Sequence, residues 1–232
     1  MTLFIAILIA YLALLITIRP TPSSLRAAKP TLYQNFLSVR ATLTSGALLL
    51  IIFFFTSNYE FLEIDRRVYE KFTLQNGHNE HEIWPATIFT HLFLHINLAH
   101  LLANVFYIGI ASLYERRVGP KRFLVVLIIS SLASIPSALF YPQNYAFCGI
   151  SGGVLGLAAA FFTDHEDISL KEWTQAIVFF TIIFAAISLG EMHKTTRNMS
   201  LGLQVDHIGH ILGAMAAVLY CRIAPKNAQI DT

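Results

Sequence analysis

Apolar residues are concentrated in seven stretches of this chain, and more polar segments of different lengths separate them. The stretches are residues 2–18, 42–57, 96–113, 121–140, 150–163, 173–190 and 206–222. A helix needs about 20 apolar residues to cross a hydrocarbon core about 30 Å thick. Several stretches are shorter, and residues 150–163 would have to begin below the membrane surface. The pattern predicts an all-α integral membrane protein with a single membrane domain.

The composition agrees with a membrane protein, because 55% of the residues are hydrophobic, only 13% are charged and the mean hydropathy is +0.59. A net charge of +2 gives no reason to expect a nucleic-acid partner. The first stretch has no basic segment before it and no small-residue cleavage site after it. We therefore expect a retained anchor rather than a signal peptide.

The distribution of basic residues predicts the orientation of the spans. Eleven of the sixteen lysines and arginines fall on one side of the predicted membrane: Arg19, Arg26, Lys29, Arg40, Arg116, Arg117, Lys121, Arg122, Lys171, Arg222 and Lys226. The positive-inside rule makes that side cytoplasmic, so we expect an external N-terminus and a cytoplasmic C-terminus. Cys148 and Cys221 then lie at opposite faces and cannot form a disulfide.

A serine and a histidine begin two of these stretches. Ser151 stands in Gly-Ile-Ser-Gly at 149–152, and His210 stands in Asp-His-Ile-Gly-His at 206–210. In the predicted topology both lie near the external face, on helices that run in the same direction. A serine hydroxyl needs a base within about 3 Å to act as a nucleophile, and histidine can accept and return that proton. The pair predicts an enzyme that needs neither a metal nor another cofactor.

Small residues follow both side chains at helical spacing. Gly152 and Gly156 form one stripe after the serine, and Gly209, Gly213 and Ala217 form another around the histidine. In lipid, such stripes allow two helix backbones to approach closely. We expect these two helices to pack tightly enough to bring Ser151 and His210 together, although either stripe alone is typical of ordinary helix packing.

Two polar residues, His100 and Asn104, enter the third stretch four residues apart and therefore share one helical face. Polar groups at such depth usually turn toward the protein interior. Both can donate hydrogen bonds to an oxyanion that develops on an attacked carbonyl. The other interpretation is a polar clamp between helices.

These motifs together resemble the rhomboid family of intramembrane serine proteases. The matching pieces are Gly-x-Ser-Gly at 149–152, His-x-x-x-x-His-x-x-x-Asn at 95–104 and His-x-x-Gly-x-x-x-small at 210–217. The resemblance implies an anchor helix with its linker at 1–41, a six-helix catalytic core at 42–222 and a tail at 223–232, in a one-plus-six arrangement. It implies that Ser151 is the nucleophile, that His210 is its general base, and that His100, Asn104 and the Ser151 backbone amide bind the oxyanion.

The resemblance also implies that the substrates are single-pass transmembrane proteins. Because a helix must unwind before its peptide bonds can be attacked, we expect substrates that carry helix-breaking residues near the outer surface. They would enter past the span at 173–190, where Phe179, Phe180 and Phe184 either line a gate or face lipid, and the loop at 191–205 would act as a cap. We expect a multi-pass protein of a bacterial inner membrane. Oligomeric state, organism and the role of the first span stay open.

Some residues depart from the family pattern or leave alternatives open. Trp84-Pro85 stands where the family usually has Trp-Arg, and Leu155 stands where a tyrosine often packs on the catalytic histidine. We assign the base to His210 rather than His207, because Gly213 follows His210 at the family spacing, and we expect Asp206 to be a helix N-cap. The alternatives are a catalytically silent relative that binds membrane clients, and a metalloenzyme that uses some of the nine histidines.

Overall fold

The computed structural model describes residues 1–20, 28–77, 83, 85–141, 145–165, 168–195 and 205–224. In these ranges the chain is mostly helical. The helices are α1 (Thr2–Thr17), α2 (Leu32–Ser38), α3 (Arg40–Thr56), α4 (Arg66–Phe72), α5 (Thr87–Thr90), α6 (Leu98–Ile110), α7 (Ser112–Val118), α8 (Pro120–Ala133), α9 (Ser151–Thr163), α10 (Leu170–Thr195) and α11 (His207–Ile223). Short 3₁₀ helices cover His91–Phe93 and Ile135–Phe140, and two-residue strands cover Leu74–Gln75 (β1) and Ala146–Phe147 (β2).

Each predicted apolar stretch overlaps one of the longer helices, which are α1, α3, α6, α8, α9, α10 and α11. Among the described residues, two helical segments, Leu98–Val118 and Pro120–Phe140, are long and apolar enough to cross a membrane. The bent pair α2 and α3, which meet at 72°, makes a third if it counts as one span. Shorter apolar helices cover Thr2–Thr17, Ser151–Thr163, Trp173–Ile182 and His207–Ile223. At a rise of 1.5 Å per residue, the 13 residues of α9 extend only about 20 Å, less than the core of a bilayer.

The chain divides into two compact units, and each is described by itself. The first contains residues 1–74, 81–125 and 148–150, and the second contains 75–80, 126–147 and 151–232. In the first unit, α1 packs on α3 around Tyr11, whose hydroxyl donates a hydrogen bond of 2.7 Å to the Thr42 carbonyl. Gly46 provides the space for this ring, since a Cβ there would lie 2.7 Å from Cε1 of Tyr11. Phe4 stacks on Phe54 with ring centroids 4.4 Å apart, so α1 contacts α3 near both ends of α3.

The last turn of α1 exposes carbonyl groups that have no partner within the helix. The Asn35 amide donates to the carbonyls of Leu15, at 3.0 Å, and of Ile16, at 2.6 Å. Arg116 donates to the carbonyl of Ile18 at 3.2 Å, and also to the Asn35 side chain. These contacts fix the end of α1 to α2 and α7 within the first unit.

The first turn of α3 is capped by a buried carboxylate from α7. Glu115 is fully buried and accepts hydrogen bonds from the backbone N–H groups of Ala41, at 2.8 Å, and Thr42, at 2.7 Å. A negative charge is stabilised at a helix N-terminus, where N–H groups lack helical partners and the helix dipole is positive. Glu115 therefore joins α7 to α3.

Candidate active site

The site in the second unit centres on Ser151 and His210. Ser151 is the first helical residue of α9, and His210 lies in the first turn of α11. The Nε2 atom of His210 lies 2.7 Å from the Ser151 hydroxyl oxygen. His210 is buried, whereas Ser151 is half-buried and therefore stays partly exposed at the protein surface. With a neutral imidazole protonated at Nδ1, the hydroxyl donates its proton to Nε2, which is the arrangement that general-base catalysis requires.

Glycines bring the two side chains together, because they let the backbones of α9 and α11 touch. A Cβ at Gly213 would lie 2.8 Å from the carbonyl carbon of Gly152. One at Gly156 would lie 3.2 Å from the Gly213 carbonyl oxygen, and one at Gly152 would lie 3.4 Å from that of Gly209. All four glycines predicted to pack helices are therefore at the contact between α9 and α11.

Serines of a third helix, α8, and Ser134, which directly follows its last residue, lie at the same contact. A Cβ at Gly152 would lie 2.8 Å from the Ser134 hydroxyl, and one at Gly156 would overlap Ser130. Gly153 is equally close to α8, since a Cβ there would lie 2.7 Å from the Leu127 carbonyl oxygen. Sequence reasoning missed Gly153 and these serines, although serines at 130, 131 and 134 in an apolar stretch are a small-residue signal of the same kind.

Asp206 caps α11, as the sequence predicts. One carboxylate oxygen accepts the Gly209 N–H at 2.7 Å, and the other accepts the Ser137 hydroxyl at 2.6 Å. The carboxylate is thus engaged at the helix start. Gly209 has a second role besides helix packing, because a Cβ there would lie 2.6 Å from the Asp206 carboxyl carbon. Sequence reasoning did not identify Ser137, for which the sequence carries no local signal.

His100 and Asn104 belong to the first unit, where both lie on α6. The His100 N–H donates to the Asn97 side chain at 2.9 Å, and the buried Asn104 amide donates to the His100 carbonyl at 3.1 Å. Gly149 lies against the His100 ring: it has a positive φ of 106°, and a Cβ there would lie 2.9 Å from Cε1 of His100. His100 thus packs on a backbone position that precedes Ser151 by two residues in the chain.

Two further histidines lie before α6 and are buried. The helix is not continuous here, because Leu94 is extended and α6 begins only at Leu98. Burial lowers the pKa of His91 to about 4 and lowers that of His95 well below its usual range, so both rings are neutral near pH 7. The His95 ring meets the His100 ring edge-on with centroids 5.0 Å apart. Across the described residues, no three His, Cys, Asp or Glu side chains are grouped as metal ligands would be.

Cys148 precedes Ser151 by three residues, and its environment is that of a packed thiol rather than a nucleophile. Neither cysteine forms a disulfide. Burial raises the pKa of the Cys148 thiol to about 12, although the residue as a whole is only half-buried. Almost no thiolate, which is the reactive form, is present near neutral pH.

Other predicted features lie partly outside the described residues. These are Trp84, the side chain of Phe184 and most of the predicted cap at 191–205. Phe179 contacts Phe162 with ring centroids 5.3 Å apart and lines an open apolar groove of about 410 Å³ between α9 and α10. Phe180 is half-buried beside Phe179, with ring centroids 5.6 Å apart.

The fold and site define an α-helical membrane protein in which a serine and a histidine meet at the ends of two closely packed helices. The sequence profile of the Rhomboid domain matches residues 80–227, which is more than half of the chain. The chain therefore belongs to the rhomboid family, and the predicted resemblance is confirmed.

Two relatives agree with this assignment. The chain is 30% identical to Rhomboid-like protease 3 of Toxoplasma gondii over 147 residues, which cover 60% of this chain and 52% of that protein. It is 25% identical to Rhomboid protease GlpG of Salmonella paratyphi A over 159 residues, which cover 65% of this chain and 52% of the relative. The matches span about half the length of each relative.

Proposed function

We propose that this chain is an intramembrane serine endopeptidase that uses Ser151 and His210 as a catalytic dyad. The observation that carries the proposal is the 2.7 Å separation between the Ser151 hydroxyl oxygen and Nε2 of His210. The protease names of two relatives support the same reaction class. Asp206 is engaged with Gly209 and Ser137, which favours a dyad over a triad.

The dyad would act in two proton-transfer cycles. His210 accepts the proton of Ser151 as the serine oxygen bonds to the carbonyl carbon of the scissile peptide. The carbon–nitrogen bond then breaks, and the imidazolium gives its proton to the leaving amine, which leaves an acyl-enzyme ester. In the second cycle His210 accepts a proton from water as the water attacks the ester, and the serine oxygen departs with that proton.

The oxyanion would be stabilised by the Ser151 backbone N–H together with His100 and Asn104. The first N–H groups of a helix have no helical acceptor, and Ser151 is the first residue of α9. The positive end of the helix dipole lies at the same point. The roles of His100 and Asn104 are supported by the family motif and by the packing of His100 on Gly149.

The topology we propose is one plus six spans, with the N-terminus outside and the C-terminus inside a bacterial inner membrane. Arg222, near the end of α11, donates to the Thr163 carbonyl at the end of α9 at 2.9 Å. The two helices thus end together as well as begin together, which supports parallel spans with the dyad at the outer ends. The substrates would be single-pass membrane proteins, whose helices must unwind before their peptide bonds become accessible.

The proposal is tested with purified protein and a model transmembrane substrate. We expect metal-independent cleavage, resistance to chelators and covalent labelling by a fluorophosphonate probe. Both Ser151→Ala and His210→Ala should abolish cleavage and labelling, whereas the control Ser131→Ala, which removes a hydroxyl bonded within its own helix, should keep both. Substrate binding without cleavage or labelling would favour a silent client-binding protein, and chelator-sensitive activity would favour a metalloenzyme.

A further inference from the structure

The first turn of α11 is held by a polar contact whose side chains lie outside the motifs at 95–104, 149–152 and 210–217. Ser137 is 1% exposed and lies in the 3₁₀ helix Ile135–Phe140. Its hydroxyl donates to one carboxylate oxygen of Asp206 at 2.6 Å, while the other oxygen accepts the Gly209 N–H at 2.7 Å. One carboxylate thus links this 3₁₀ helix to the start of α11.

The same residue holds His210 through the main chain. The His210 N–H donates to the Asp206 carbonyl at 3.0 Å, so both the side chain and the backbone of Asp206 contact the turn that carries the imidazole. The ring must stay within hydrogen-bond distance of Ser151, and a displacement of about 1 Å at a catalytic group lowers rates about 100-fold. A shift or rotation of this first turn would therefore move Nε2 of His210 relative to the Ser151 hydroxyl.

The neighbouring residues fit this arrangement. Gly209 has no side chain, and a Cβ there would collide with the Asp206 carboxylate. The Tyr141 hydroxyl accepts the Ile208 N–H at 3.4 Å, which adds a second contact to the same turn. Burial, with a smaller contribution from Asp206, raises the pKa of Tyr141, so this hydroxyl stays neutral through the working pH range.

We propose that Ser137 and Asp206 are positioning residues that form a clasp between the 3₁₀ helix and α11, and that this clasp keeps His210 aligned with Ser151. The inference rests on the proposed protease function. Because the clasp works by geometry, the charge of Asp206 is dispensable. An asparagine can still cap α11 through its amide oxygen. Its NH₂ group can donate to the Ser137 hydroxyl, so the hydrogen bond between the two side chains is kept with its direction reversed.

Four variants separate geometry from charge, with kcat, KM and the pH–rate profile measured on a transmembrane substrate. Asp206→Ala should lower kcat about 10- to 100-fold with KM within about threefold, since it removes the cap and the link together. Ser137→Ala should lower kcat about 3- to 10-fold, the size of one net hydrogen bond. Asp206→Asn should stay within about threefold of wild type with an unchanged pH profile. The control Ser131→Ala removes an equally buried hydroxyl that bonds within α8, and it should also stay within about threefold.

Hydrogen exchange of the peptide at 205–212 gives a readout that does not require activity. Faster exchange is expected in Asp206→Ala and Ser137→Ala than in Asp206→Asn and Ser131→Ala. Equal exchange in all four, or wild-type kcat in both Asp206→Ala and Ser137→Ala, would overturn the clasp. A fall in kcat in Asp206→Asn as large as that in Asp206→Ala, with a shifted acidic limb of the pH–rate profile, would show that the charge of Asp206 acts instead of its geometry. That result would also overturn the clasp. Absence of cleavage and labelling in the wild type would refute the protease function, and the exchange data would still decide on the clasp.

Discussion

Replacing Glu115 tests how the first unit is held together. The side chain is fully buried and both of its oxygens accept backbone N–H groups, at 2.8 Å from Ala41 and 2.7 Å from Thr42. Those residues are themselves buried, with exposures of 3% and 0%, so water offers no easy replacement. Glu115→Gln keeps the shape of the side chain but has one acceptor oxygen, and its NH₂ group would face the second N–H.

The expected loss follows from the two hydrogen bonds. A bond to a charged group contributes about 1.5–3 kcal/mol, and a buried N–H left without an acceptor costs about 1–3 kcal/mol. Glu115→Gln weakens one bond and removes the other, so the free energy of unfolding should fall by about 2–4 kcal/mol. Glu115→Ala loses both bonds and should cost about 3–6 kcal/mol, a large part of a typical stability of about 5–15 kcal/mol.

The measurement is denaturant unfolding of the purified protein in detergent micelles, followed by tryptophan fluorescence. Glu70→Gln is the matched control, because Glu70 pairs with Arg66 at the surface, where water and salt screen the ion pair. If the free energy of unfolding of Glu115→Gln lies within about 0.5 kcal/mol of the values for wild type and Glu70→Gln, Glu115 does not stabilise the start of α3 as proposed.

Three further predictions concern the second unit and the site. Gly156→Ala should destabilise by about 1–3 kcal/mol by overlap with Ser130, and Ser130→Gly in the same chain should recover part of the loss in a double-mutant cycle of unfolding free energies. Asn104→Ala should lower kcat about 10²- to 10³-fold on a transmembrane substrate by loss of an oxyanion donor, with stability reduced by only about 1 kcal/mol. In a Cys221→Ser background, Cys148 should resist iodoacetamide at pH 8 in the folded protein and react readily after unfolding. The reason is that a thiol of pKa about 12 is only about 1 part in 10,000 thiolate at that pH.

Each of these has a result that counts against it. Independent, additive losses in the Gly156→Ala and Ser130→Gly pair would mean that the two residues do not share the space assigned to them. A kcat change below about threefold in Asn104→Ala would remove that residue from the oxyanion site. Alkylation of folded Cys148 within about tenfold of the unfolded rate would show that the thiol is open to solvent.

The local features of this protein were predictable from short stretches of sequence. Apolar runs predict the helices because the transfer of apolar side chains from water into protein or lipid is the dominant free-energy term. That term depends on the composition of each run, and the backbone must then form its hydrogen bonds within the helix. The N-cap at Asp206 is equally local, because an acceptor side chain satisfies N–H groups two or three residues away. Ser151 and His210 stood out as a candidate pair for a chemical reason: few structural roles place a serine and a histidine at the beginnings of two apolar helices.

The sequence alone predicted the longer apolar helices, four of the glycines at which two of them touch, and the two side chains that are candidates for a dyad. Only the tertiary structure decided that Ser151 and His210 lie 2.7 Å apart, that serines of α8 fill the space beside the α9 glycines, and that Ser137 reaches Asp206 from 69 positions away. It also decided that Glu115 caps α3. This carboxylate lies in the middle of α7, next to two arginines, and no periodicity in the sequence distinguishes it from a solvated side chain. The reason is that helix formation is local, whereas these contacts join residues far apart in the chain, and their partners depend on how the helices pack.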